Sequence, residues 1–190
     1  MQYILGCTPR FPLDIVFALD TARVGATHSK TILQFIVNVS SNINMASGDV
    51  TVATVSNGCA GESFTGEPGT NPASVKADLA SYETPRFDHL MRSMRIKAVD
   101  GRRETKHVGV IFITDRLSPV EYDKARREMM RARYQKTAIF GVGIGDLVDE
   151  TQIRALTALG GYYMHAFNYK SLPELSAQLL YHMCMFGVDK

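Results

Sequence analysis

The sequence has little that singles out a chemistry. Its 190 residues carry 21 basic and 19 acidic side chains, a net charge of +2, and so close a balance argues against a dedicated nucleic-acid-binding surface. No stretch of about 18 apolar residues occurs, so no membrane-spanning helix is expected. The opening MQYILGCTPR lacks the basic start, apolar stretch and small-residue cleavage site of a secretory leader. The expectation is a soluble domain that neither binds nucleic acid nor enters a membrane. His28, His89, His107, His165 and His182 are scattered without ligand spacing, and no nucleophile elbow is present. The glycines of GVGIG, Gly141 to Gly145, suggest a phosphate loop, but they end a late strand, and the first strand-to-helix turn has no glycine fingerprint. Neither catalysis nor nucleotide binding is expected. Repeats, linkers and low-complexity tracts are absent too, and 45% hydrophobic content suits one large single domain.

Cysteine is scarce, with three in the chain. Cys7 and Cys184 bracket nearly all of it, whereas Cys59 stands alone in SNGCAGES. The outer pair could close an α/β fold as a disulfide; three small buried hydrophobes is the alternative.

What is there is an alternation of short β-rich runs with helical segments. LDIVFAL, VTVATVS, HVGVIFIT, KTAIFGVGI and YYMHAF are expected strands, several of them apolar almost throughout, as strands buried on both faces are. That pattern predicts an α/β fold, a doubly wound and mostly parallel sheet with helices on both faces. Ile32, Phe35, Ile36, Val39 and Ile43 form one helical stripe after the first strand. Ser118 with Pro119 and Glu121, Asp149 with Gln152, and Ser171 with Pro173 and Glu174 announce three later helix starts. Gly160 and Gly161 are expected to close the fifth helix. Asn57 to Ser74, dense in Gly, Pro, Ser and Thr, is loop, with a short antiparallel edge strand around Glu62 to Phe64. The expected order is β, α, β, loop, α, α, β, α, β, α, β, α.

Two of the strands end on aspartate, Asp20 in FALD and Asp115 in FITD. In such folds ligands bind beyond the carboxyl ends of the central strands. Two carboxylates converging there repel unless a cation or hydrogen-bond donors lie between them, which suggests a site for a hard cation with oxygen ligands. Each also suits simple capping of the turn or helix that follows.

From VFALDTARVG, through a Thr opening a later helix and the strand ending Thr-Asp, to AIFGVGIGD and LGGYYMHAFNYKSLPEL, the chain resembles a von Willebrand factor type A domain. The match covers about Pro12 to Cys184, leaving 1–11 and 185–190 as flanks, and DIVFALDTARVG is especially similar to the A domains of type VI collagen and invertebrate matrix proteins. The resemblance implies a disulfide between Cys7 and Cys184. It also implies a metal-ion-dependent adhesion site, Asp-x-Ser-x-Ser with a later Thr and Asp, whose positions fall on Asp20, Thr84 and Asp115. Both serines are missing: Ala22 and Val24 take their places, and Arg116 stands where a glycine often follows the last Asp. The expected site is degenerate. No cofactor is required, and Mg²⁺ or another divalent cation is expected to bind weakly. Thr84 also suits an N-cap before Pro85.

The resemblance therefore implies a secreted extracellular matrix interaction module, not an enzyme, with collagen or other matrix proteins as partners, standing alone or within a larger multidomain chain. The alternatives are a Mg²⁺-dependent adhesion domain and a mineral- or polysaccharide-associated structural protein. Arg126, Arg127, Arg131 and Arg133 stud one helix, either as a solvated face or as a patch for acidic glycans or acidic proteins. Asn38 opens the sequon NVS on the side of its helix away from the apolar stripe, a candidate glycan acceptor.

Overall fold

The computed structural model describes residues 8–9, 11–46, 48–57, 87–99, 105–157 and 160–186. Five strands, β1 (Leu13–Leu19), β2 (Val50–Ser56), β3 (Lys106–Ile113), β4 (Thr137–Ile144) and β5 (Tyr163–Ala166), pair in the order β2-β1-β3-β4-β5. Every pairing among them is parallel. The helices are α1 (Thr21–Ser41), α2 (Phe87–Val99), α3 (Pro119–Tyr134), α4 (Glu150–Leu156) and α5 (Ser176–Cys184), the last preceded by a 3₁₀ turn over Leu172–Leu175. The expected edge strand at Glu62 to Phe64, and the first of the two helices expected between β2 and β3, lie outside the described residues.

The period-two alternation of the strands sorts their side chains into two cores. Leu13, Ile15, Phe17 and Leu19 of β1 join Val108, Val110 and Phe112 of β3 and Phe140 of β4 beneath α1 and α5. The expected stripe is buried in that core from Ile32 to Val39 on α1, and Ile43, expected to continue it, is buried there just past the helix end. On the other face Val16, Ala18, Ile111, Ile113 and Ile139 pack against α2, α3 and α4. Two strand glycines bring these helices close. A Cβ on Gly109 would lie 2.6 Å from Met94 Sδ, and one on Gly141 would lie 2.5 Å from Ile153 Cγ2.

The helix signals hold at two starts and fail elsewhere for local reasons. Ser118 and Glu121 form a reciprocal capping box with Pro119 at the first position of α3, and Asp149 accepts from the Gln152 backbone at 3.2 Å. Ser171, however, spends its hydroxyl on the turn before it, donating to the Asn168 carbonyl at 3.0 Å and accepting from Asn168 N at 3.1 Å. The 3₁₀ turn intervenes, and α5 begins only at Ser176. Helix α4 stops at Leu156, not at the glycines: Thr157 leaves helical geometry with ψ at 147°, and its hydroxyl donates to the Arg154 carbonyl at 2.8 Å. Lys136 takes a positive φ of 58°, so β4 starts at Thr137, one residue later than expected.

Cys184, partly buried against the first core, is a disulfide cysteine. Cys7 and Cys59 lie outside the described residues, and with them the expected pairing.

Gly141→Ala is expected to lower stability by about 1–3 kcal/mol, because the γ-methyl of buried, β-branched Ile153 cannot swing clear. Gly109→Ala should cost less, since the thioether of Met94 can rotate away. Urea unfolding midpoints of the two variants check the order; equal losses would contradict the packing described.

Candidate functional site

The chain leaves β1 through α1 to β2 on one side and reaches β3 on its other side. The carboxyl ends of β1 and β3 thus flank the point where the strand order reverses, the place at which open α/β sheets form a crevice. Both sequence-predicted aspartates stand at this edge. Asp20 follows Leu19 and Asp115 lies two residues past Ile113. Their environments differ: Asp20 is 4% exposed, whereas Asp115 is open to solvent.

Asp20 is the N-cap of α1, and its Oδ1 accepts from the Arg23 backbone at 3.1 Å. Helix therefore begins directly after the strand, in place of the expected turn, and Gly25, with φ 73° and ψ 169°, breaks it after a single turn. That short first turn puts Arg23 over the strand end. Its Nε lies 3.7 Å from Asp20 Oδ2, and its Nη2 donates to Glu121 Oε1 of α3 at 2.7 Å. One guanidinium thus joins the carboxylate ending β1 to the first turn of α3 across the crevice. Asp20 Oδ2 is buried, and the Asn57 side chain is a further polar partner of this carboxylate. Burial raises the Asp20 pKa above the ordinary carboxylate value, against the lowering effect of the Arg23 backbone and charge. Burial also pulls Glu121 upward, but the Ser118 hydroxyl and backbone, together with Arg23, outweigh it and hold Glu121 low.

Asp115 caps its own turn, accepting from the Arg116 backbone at 2.8 Å. The Arg116 side chain turns to Asp149, 3.5 Å from its Oδ2, not to Asp20. Sequence reasoning missed Gln152 as the residue that fixes this loop. Its amide donates to the Leu117 carbonyl and accepts from the Leu117 N–H, each at 3.0 Å, a bond that only the packing of α4 beside the loop creates. Arg23, Asp115, Arg116, Leu117, Glu121 and Gln152 are among the residues lining the resulting open cleft, about 590 Å³ in volume. A contact at the end of β3 was equally hidden in the sequence. The His28 and Tyr169 rings stack at 3.8 Å, and the Tyr169 side chain hydrogen-bonds with Thr114, beside Asp115.

The residues present fit a divalent cation poorly. Ala22 and Val24 have no side-chain oxygen, and an arginine already lies against Asp20 Oδ2, the buried oxygen a cation would seek. No cluster of three or more His, Cys, Asp or Glu suited to a metal occurs among the described residues. Thr84 lies outside them.

Two loops beside the cleft carry exposed apolar side chains. Gly145 N donates to the Ala166 carbonyl at 3.0 Å, and His165 Nε2 lies 2.8 Å from the Gly145 carbonyl. The loops after β4 and β5 are thereby tied together, with Leu147 66% and Phe167 76% exposed. Away from this edge, Arg126, Arg127, Arg131 and Arg133 are all exposed on α3. Asn38 is exposed on α1, its side chain accepting from Gln34 at 3.0 Å, while the Ser40 hydroxyl of the same sequon is buried.

No family model matches the chain, and no curated protein is similar to it in sequence. Solved structures share its fold. Proximal thread matrix protein 1 from the mussel byssus, in a form with a zinc-occupied MIDAS motif, superposes with a TM-score of 0.66 at 11% identity, over 94% of this chain and 49% of that one. The pilus adhesin SpaC from Lactobacillus rhamnosus GG, in its open conformation, gives 0.59 at 11% identity, over 94% and 31%. A von Willebrand factor type A structure from Catenulispora acidiphila gives 0.53 at 11% identity, over 90% and 42%. The chain therefore has the von Willebrand type A topology and spans half or less of the length of each of these proteins.

The two carboxylates should give opposite pH signatures. Glu121, held low, contributes stability that is present above the ordinary carboxylate range and is lost as pH falls through its depressed value. Asp20, held high, has the reverse sign: its ionisation costs stability as pH rises through its raised value. In urea unfolding, Glu121→Gln should lose about 1 kcal/mol at neutral pH, the deficit closing on acidification. Asp20→Asn, which keeps the cap, should be no less stable than wild type at neutral pH. Its advantage should shrink in acid.

Proposed function

We propose that the chain is an extracellular matrix interaction module of the von Willebrand factor type A family, secreted, without enzymatic activity, binding collagen or another matrix protein with no divalent cation in its crevice. The bridge from Arg23 to Asp20 and Glu121 is the decisive support. In this reading the guanidinium supplies the positive charge at the end of β1, and Ala22 and Val24 are tolerated because no metal has to be ligated there. The fold likeness to a byssal thread matrix protein and a pilus adhesin supports the same class of work. Among the described residues no helix is long and apolar enough to cross a membrane. Cys184 as a disulfide cysteine suits an oxidising compartment, and Cys7 is its proposed partner.

Docking falls to the carboxyl edge of the sheet, where Leu147 and Phe167 offer apolar area and Arg116 a charge beside it. Exposed aromatic and apolar groups rimmed by polar ones are the usual anchors of protein interfaces.

Solid-phase binding to fibrillar collagen and to other purified matrix proteins checks this reading. Binding should be equal in EDTA and in Mg²⁺, and Leu147→Ala with Phe167→Ala should weaken it by about tenfold or more. A saturable Mg²⁺ isotherm abolished by Asp20→Ala, with adhesion lost in EDTA, would instead establish a cation-dependent adhesion domain. Peptide mapping without reductant should recover Cys7 linked to Cys184; a free thiol at Cys184 would remove the support for secretion.

A further inference from the structure

Helix α3 has a chemistry that the crevice does not use. With the turn after it, residues 119–136, it holds six basic and three acidic side chains, leaving 15 basic and 16 acidic elsewhere. The whole positive excess of the chain therefore sits on this one element. Arg126, Arg127, Met130 and Arg131, with Asp123 as the one carboxylate among them, line an open cavity of about 480 Å³. A second, of about 380 Å³, is lined by Arg95, Tyr134 and Gln135 and again by Met130 and Arg131. The two shared residues join the cavities into one trough running toward the carboxyl end of α3.

The floor of the trough is fixed by a buried ion pair. Glu128 accepts from Arg95 Nε at 3.0 Å and from Arg131, and Arg95 Nη1 also donates to Gln135 at 2.8 Å. Arg95 is thereby used up in joining α2 to α3. Arg131 stays 62% exposed despite its pair. Arg126 and Arg127 are exposed and form no ion pair with any described residue. One helical turn of four residues sets Arg131 about 6 Å beyond Arg127. Tyr134, 90% exposed, ends the row with its ring open to solvent.

We infer that this trough binds a linear sulfated polysaccharide. Guanidinium forks pair two N–H groups with the oxygens of a sulfate or carboxylate, and a free tyrosine ring offers a flat apolar face to the C–H groups of a pyranose. An acidic peptide suits the trough less well. An extended peptide draws much of its affinity from main-chain hydrogen bonds to a sheet edge, whereas this trough is built on two helices whose backbone groups are already paired. The ligand has to bring dense negative charge on its own substituents.

Heparin, chemically desulfated heparin and poly-L-glutamate serve as probes, titrated against the full oxidised chain over a range of salt. Heparin should bind, more weakly as salt rises, and better than its desulfated form. Arg126→Ala with Arg127→Ala, two exposed and unpaired positions, should weaken binding about tenfold. Lys30→Ala with Lys170→Ala, which removes the same charge from exposed sites elsewhere, should stay within about twofold of wild type. Tyr134→Ala should weaken heparin most clearly at high salt, where charge is screened. Equal losses in the two double variants would reduce the attraction to net charge and overturn the assignment. It is equally overturned if heparin does not bind, or if poly-L-glutamate competes as well as heparin, which would mark an acidic-protein surface.

Discussion

All seven residues of β1 are buried, and the rest of the molecule is arranged around that fact. A strand covered on both faces has no polar side available, so its odd and even residues must each find a helical layer. Leu13, Ile15, Phe17 and Leu19 take α1 and α5, while Val16 and Ala18 take the layer of α2, α3 and α4. With β2 and β3 paired on its two edges, β1 is closed in on every side except its ends. Its ends are therefore where polar groups can gather. Asp14, at the amino end, accepts from the hydroxyls of Thr51 and Thr105, stitching the neighbours of β1 to it. Asp20, at the carboxyl end, meets the start of α1.

That second end carries the functional argument. The crevice is a consequence of topology and would exist whatever residues lined it. What it can hold depends on the first turn of α1, where side chains only two to four residues from Asp20 hang over the strand end. Alanine and valine there remove oxygen donors, and the arginine between them puts a fixed cationic group within reach of two carboxylates. Such a group differs from a metal ion in a way that matters for recognition. It is planar, donates only along its N–H directions and cannot accept an incoming ligand oxygen as a coordination partner. Recognition at this edge then rests on apolar contact and ordinary polar pairing, which places the weight on Leu147, Phe167 and Arg116.

Helix α3 serves both faces of this account. Its first turn supplies Glu121 to the crevice, and its outer side presents the arginine row. Glu128 fastens it to α2 from beneath, so the charges on its surface are carried by a rigid element and not by a loop.

The layered parallel sheet was legible in the sequence because burial on both faces writes near-continuous apolar runs, and α1 because its stripe repeats at the helical period. The capping box at Ser118 and the cap at Asp149 were legible for a related reason: they are local, made within one turn. Asp20 and Asp115 could be found as strand-terminal carboxylates. Their different fates could not, because burial of the one and exposure of the other follow from neighbours far apart in the chain. The Arg23–Glu121 pair spans 98 positions and the Gln152–Leu117 clamp 35, and no spacing rule connects such residues. Ser171 and the end of α4 were misjudged because a hydroxyl that can cap a helix can equally bond a nearby turn, and the packed backbone decides between them. The sequence by itself determined which residues must be buried and which carboxylates end the central strands, since periodicity and side-chain polarity act locally. Only the tertiary structure decided what faces those carboxylates, because that depends on which first helical turns the crossovers bring together over the switch point.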